Sequence, residues 1–218
     1  MKDAAWLRIL AGARRLSAEF PDAVFIGGVA VAQYARRDMP RLVEASHDAD
    51  FYLSLTGKAQ MRDAYEVIAN PRLGKDSVTI DGQDFDIYVE RQHALAIPYD
   101  QVAAHAQVID GIRVAALEHL LILKLDALAH RKASAKGAKD LRDLATIIVL
   151  LKKPNGMLLA VHLNARRLAL LQDLRRRADV FRGMGVNQHE ASRLFAALEA
   201  NLHLIARAHR KNNRGLSR

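Results

Sequence analysis

The chain has no cysteine, so disulfides and thiolate metal sites are excluded, and a reducing, cytoplasmic setting is expected. No apolar run approaches the roughly 18 residues that span a bilayer, so no membrane role is expected. No segment is low-complexity, and half of the 218 residues are hydrophobic, which predicts a globular chain rather than a disordered one. The nine histidines are scattered without metal-ligand spacing, and none is assigned catalysis, although His47 lies beside the acidic pair described below. Near the N-terminus, Trp6, Leu7, Ile9, Leu10, Leu16 and Phe20 form a charged helical stripe without the apolar centre of a signal peptide. A first helix packed on the domain is expected there, with a transit peptide as the alternative.

What the chain does have is an uneven charge. From Lys152 to Arg218 there are 14 Lys and Arg against 4 Asp and Glu, a formal +10, whereas the first 151 residues sum to −1. A basic excess confined to the C-terminal third suits a polyanion such as nucleic acid, or else a set of solvated Arg-rich helices.

Local pattern predicts a helix over 3–19, a buried strand Val24-Phe25-Ile26 running into Gly27-Gly28, and a helix over 29–36. A strand over 48–55 and a helix over 58–69 follow. Then come strands 77–80 and 84–90 joined through Asp81-Gly82-Gln83, and a second hairpin around Asp110-Gly111. Beyond Leu117 only helices are predicted, at about 117–131, 138–152, 157–180 and 188–209. The expected fold class is α/β (α+β), a small mixed-sheet core with helices followed by a helical C-terminal part. The expected domains are 1–116 and 117–218, the latter basic from 152.

Asp48 and Asp50 stand two apart, so in a strand both carboxylates share a face. Two carboxylates about 4 Å apart repel by roughly 4 kcal/mol at an effective dielectric near 20, and a divalent cation relieves that simply. Hard oxygen ligands in small number suit Mg²⁺ held with substrate phosphates. Asp86, in mid-strand between Phe85 and Ile87, is preferred over Asp84 as the third carboxylate; Asp81 and Asp84 read as turn caps or solvated groups. Gly27-Gly28 lets backbone approach a ligand and aims helix N–H groups at phosphate, or merely turns the chain. Lys124 falls inside the apolar stripe Leu117, Leu120, Leu121, Leu125 and Leu128, with Arg131 seven residues on. It is either a structural ion pair with Asp140 or Asp143 or a phosphate-binding cation, and the acidic trio favours the cation. Asp140 and Asp143, read as first-turn residues of the next helix, could equally be helix-dipole charges.

Phe25-Ile26-Gly27-Gly28-Val29-Ala30, Ser46-His47-Asp48-Ala49-Asp50-Phe51 and Asp84-Phe85-Asp86-Ile87 together resemble the nucleotidyltransferase superfamily with the polymerase β-type core. The stretch Leu117–Leu128, continuing through Arg131 and Lys139–Leu144, looks like its AbiEii-type branch of type IV toxins. The resemblance covers roughly residues 20–150. It implies that Asp48, Asp50 and Asp86 hold two Mg²⁺ ions, that Gly27 and Gly28 border a nucleoside triphosphate, and that Lys124 and Arg131 neutralise it. It also implies that Asp140 shapes the nucleotide site. The implied reaction moves NMP from an NTP to an acceptor hydroxyl, on tRNA by likeness to that branch, with an antitoxin as a possible partner. Val29 departs from the Ser or Thr that often follows the double Gly, and the Arg or Ser ahead of the acidic pair is represented only by Arg41 and Ser46. Two alternatives stand beside this one. The acceptor could be a protein or a small molecule such as an antibiotic, or the fold could carry an inactive RNA- or partner-binding protein.

Overall fold

A computed structural model describes residues 2–131, 134–177 and 179–216. Ala178, inside the helix predicted over 157–180, and Arg218, at the end of the basic segment, lie outside the described residues. The chain divides into two compact units, Met1–Ala116 and Leu117–Arg218.

The first unit is built on a seven-stranded mixed sheet. Helix α1 (Lys2–Glu19) buries Trp6, Ile9, Leu10, Ala13 and Leu16, with Phe20 just past its end. Leu7, expected on the same stripe, is exposed. Strand β1 (Val24–Ile26), wholly buried, leads directly into α2 (Gly27–Asp38). Strand β2 (Ala49–Leu53) starts one residue after Asp48 and hands over to α3 (Leu55–Ala64), whose first turn is capped by Ser54 accepting from Gly57 N at 2.9 Å. The helix predicted to run to Ala69 stops at Ala64, because Ile68–Asn70 becomes strand β3 and pairs with β4 (Lys75–Ile80), Ile68 opposite Ser77.

Strand β5 (Gln83–Val89) returns along β4 through a two-residue turn with positive φ at both Asp81 and Gly82, the primed geometry that matches strand twist. Helix α4 (Tyr99–Ala104) was not foreseen. Strands β6 (Gln107–Ile109) and β7 (Ile112–Val114) form the expected second hairpin, turned at Asp110-Gly111 with the same backbone signs. The sheet order is β3-β4-β5-β2-β1-β7-β6, with β2 parallel to β5, β1 parallel to β7, and the other neighbours antiparallel. Phe25, Phe51 and Phe85 are fully buried on the three central strands, and the Phe25 and Phe51 rings lie 5.4 Å apart.

The second unit is helical: α5 (Leu117–Arg131), α6 (Ala135–Leu150), α7 (Gly156–His162), α8 (Ala165–Leu174) and α9 (Gln188–Leu216). The single helix predicted over 157–180 is two, because Asn164 caps a new one, its Oδ1 accepting from Arg167 N at 3.0 Å. Helix α6 starts three residues earlier than predicted, at the cap Ser134, so Asp140 and Asp143 lie beyond its first turn and the helix-dipole reading of them does not hold. Among the described residues no helix is long and apolar enough to cross a membrane.

Candidate active site

Strand pairing decides which carboxylates meet. Asp50 on β2 is the register partner of Asp86 on the parallel strand β5, so the two side chains leave the sheet on the same face from adjacent strands. Both are half-buried. Asp48 sits two residues before Asp50 in the bend leading into β2, also half-buried, and its Oδ1 accepts from the buried Ser46 hydroxyl at 3.2 Å. Ser46, whose register was open in the sequence, thus touches the acidic pair.

Gly27 closes the site from the other side. Ile26, the last residue of β1, is the register partner of Asp50, and Gly27 follows with φ +69°. A Cβ added at Gly27 would lie 2.2 Å from Asp50 Oδ2 and 3.0 Å from its Cγ. The backbone therefore passes directly over the carboxylate, in the left-handed region that favours glycine. Gly28, buried, follows on the first turn of α2.

Sequence reasoning missed Lys75. Its ammonium pairs with the Asp86 carboxylate, both groups mostly buried. The signal was present: with Asp81-Gly82 as a two-residue turn, Ser77 falls opposite Asp86 and Lys75 lies two residues away on the same face. Reading Gln83 as part of the turn obscures that register.

The opposite face of β4 carries a second unforeseen set. Asp76 is buried, with Lys58 Nζ 2.6 Å from its Oδ2 and His93 Nε2 3.7 Å from its Oδ1. His93 Nδ1 accepts from Val89 N at 2.9 Å, which assigns the ring proton to Nε2, facing Asp76. Lys58 also donates to Gln92 Oε1. Every member is committed to another, so the set fixes the loop after β5 rather than opening a site.

Among the described residues no group of three or more His, Cys, Asp or Glu is gathered closely enough to hold a metal ion. The donors that adjoin, Asp50 and Asp86 with Asp48 two residues before, are hard carboxylate oxygens, and the Gly27 backbone lies so close to Asp50 that any Cβ there would collide with the carboxylate. That donor set fits Mg²⁺, which is commonly bound through one or two carboxylates together with substrate phosphates.

Lys124, Arg131 and Asp140 belong to the second unit and form a set of their own. Lys124, on α5, is only 7% exposed; its Nζ lies 3.0 Å from Asp140 Oδ1 and 2.6 Å from Asp143 Oδ2. Arg131 grips Asp140 with two donors, Nε to Oδ2 at 2.6 Å and Nη2 to Oδ1 at 3.2 Å. Lys139 Nζ approaches Asp143 Oδ2 at 3.4 Å. Burial alone pushes the Asp140 carboxyl up, but the Arg131 hydrogen bonds and the Lys124 charge outweigh it and hold the group below the usual carboxylate range. The ion pair weighed in the sequence is thus present, with both acids engaged.

No family model matches the chain, and no curated protein matches it. Solved structures do. An antigenic nucleotidyltransferase-like protein from Paracoccidioides brasiliensis is 16% identical with a TM-score of 0.51, over 84% of this chain and 92% of that one. JHP933 from Helicobacter pylori is 16% identical with a TM-score of 0.46, over 96% and 94%. The Megavirus polyadenylate synthase is 16% identical with a TM-score of 0.45, over 67% of this chain and 31% of that one. At such identity the likeness to the Paracoccidioides protein concerns the fold: this chain has a nucleotidyltransferase-like fold.

Proposed function

We propose that the protein is a metal-dependent nucleotidyltransferase that moves NMP from an NTP to an acceptor hydroxyl on RNA, with tRNA as the acceptor and a toxin-like role of the type IV kind. The observation that carries this reading is the in-register pair Asp50 and Asp86, with Gly27 pressed onto Asp50.

Asp48, Asp50 and Asp86 would hold Mg²⁺, which when bound supplies the positive charge that a triphosphate and its pyrophosphate leaving group require. The chain's own residues then position the reactants. Gly27, without a side chain, lets the start of α2 lie against the Asp50 carboxylate, and the first backbone N–H groups of that helix would meet phosphate oxygens in place of the hydroxyl that Val29 lacks. Ser46 orients the Asp48 carboxylate. Asp86 would serve the acceptor hydroxyl, and Lys75 pairs with its carboxylate in the unbound protein. In the second unit the exposed Arg166, Arg175, Arg176, Arg177, Arg207 and Arg210 supply cations for an RNA backbone.

Labelled ATP, CTP, GTP and UTP, each incubated with Mg²⁺ and total tRNA, test the reading. Label should enter RNA, and Asp50→Asn, which removes one of the anionic ligands of the cation, should abolish transfer. Label entering protein or a small molecule would move the acceptor. A protein that retains RNA but transfers nothing would be the inactive binder, the alternative that the occupied Asp86 favours.

A further inference from the structure

Six residues beyond Gly27 on α2, Gln33 is 0% exposed, and among the described residues neither its Oε1 nor its Nε2 has a hydrogen-bond partner. A buried carboxamide with both ends unpaired is rare in folded proteins, because its desolvation goes uncompensated. Gln33 borders a pocket of about 460 Å³ together with Arg36, Arg37, Val108, Ile109 and Asp110, with its carboxamide shut off behind the wall. That volume is in the range of ligand sites. The pocket is remote from the paired carboxylates. Gln33 lies about 9 Å along the helix from Gly27 at 1.5 Å per residue, and β6 is three strands from β2.

The pocket borders a sheet edge. β6 ends the strand order, and its hairpin closes on the pair Ile109 and Ile112 across a two-residue turn. Hydrogen-bonded and non-hydrogen-bonded pairs alternate along an antiparallel ladder, so Ile109 spends its backbone on Ile112 while the N–H and C=O of Val108 face away from the sheet. The Val108 side chain is 70% exposed. The lining is also cationic, with two guanidinium groups and one carboxylate. Asp110 is shared, taking Arg14 at 2.5 Å and Arg36 at 3.4 Å. Arg37 chelates Asp38 with Nε and Nη2, leaving Nη1 outside that pair.

We propose that this pocket binds an extended acidic peptide segment of a partner protein, which adds a strand to the β6 edge. The peptide's main chain pairs with Val108. The Gln33 carboxamide, closed off from solvent in the unbound protein, turns to meet one of the segment's peptide groups, which offers a donor and an acceptor together, and every second side chain reaches the pocket, where a carboxylate meets Arg36 and Arg37. A nucleotide fits less well, since the lining has no aromatic ring for a base to stack on and the Val108 edge would stay unused.

Fluorescence anisotropy of the full chain with a labelled acetyl-Glu-Val-Glu-Val-Glu-Val-amide tests this without recourse to nucleotidyl transfer. Saturable binding is expected, weakened roughly tenfold or more by replacing Glu with Lys, by Arg36→Gln, or by Val108→Pro, which removes only an outward N–H. Gln33→Met should weaken binding comparably while the melting temperature holds or rises, an outcome that a purely structural Gln33 would not produce. Should Gln33→Met fail to fold, Arg36→Gln and Val108→Pro carry the same test. Absence of saturable binding, binding indifferent to these substitutions, or displacement of the peptide by AMP would overturn the proposal.

Discussion

At Gly27 two constraints coincide, a φ of +69° and a backbone lying over Asp50. An L side chain in that region costs about 1–2 kcal/mol, and its Cβ would also push the carboxylate aside. Gly27→Ala should therefore lower the melting temperature by several degrees, about 2–4 °C per kcal/mol for a chain of this size, and remove transfer activity far beyond that. Thermal denaturation read beside the labelled-nucleotide assay checks both halves. Gly27, Asp50 and Asp86 were each legible in the sequence, because a Gly pair after an apolar strand and a carboxylate in mid-strand are local signals. Their mutual contact was not legible, since it depends on which strands become neighbours.

Asp140 shows the same limit from the other side. Its carboxyl is held below the usual range, so it contributes stability that is full above the unfolded carboxylate pKa and is lost as pH falls through the folded one. Asp140→Asn should cost about 1–2 kcal/mol at neutral pH, because Arg131 loses its two-donor grip at a partly exposed position while Lys124 keeps Asp143, and should flatten the acid limb of the stability curve. Lys124→Met separates the two readings of that lysine. A structural cation gives a lower melting temperature with an unchanged NTP requirement, whereas a triphosphate contact raises the NTP concentration needed for half-maximal transfer.

Among elements, the β4–β5 hairpin carries the most consequence. Its two-residue turn fixes Ser77 opposite Asp86 and so delivers Lys75 to that carboxylate. If the cation and Lys75 share Asp86, removing the lysine favours the cation, and Lys75→Met should lower the Mg²⁺ concentration at half-maximal transfer by roughly tenfold, a shift of about 1.4 kcal/mol. An unchanged or raised Mg²⁺ requirement would instead make Lys75 part of the working site. Elements whose signal is periodic or capped, such as α1, α5 and both Asp-Gly hairpins, were readable from sequence. The misread ones, β3 and the α7–α8 break, hang on a partner strand and on one Asn cap that competes with a continuing apolar pattern.

For the whole molecule, charge is the property most directly inherited from sequence. The exposed arginines of α8, of the segment just after it (Arg175, Arg176 and Arg177) and of α9 should make RNA retention fall steeply with salt, by about 0.7 in log affinity per log salt for each single-stranded phosphate contact. Filter binding of tRNA across a salt series reads that slope, and Arg175→Gln with Arg176→Gln should reduce it by about two contacts. A flat salt dependence would detach the basic region from RNA. By itself the sequence determined the mixed order of strands and helices, the turns, the helical C-terminal part and the residue types at the carboxylate site, all of which follow from interactions within a few residues. Only the tertiary structure decided that Asp50 and Asp86 lie side by side, that Lys75 occupies Asp86, and that Gln33 is buried without a partner. The first follows from pairing strands that are distant in the chain, the second from a turn register that the folded hairpin fixes, and the third from the packing around α2; no local periodicity records them.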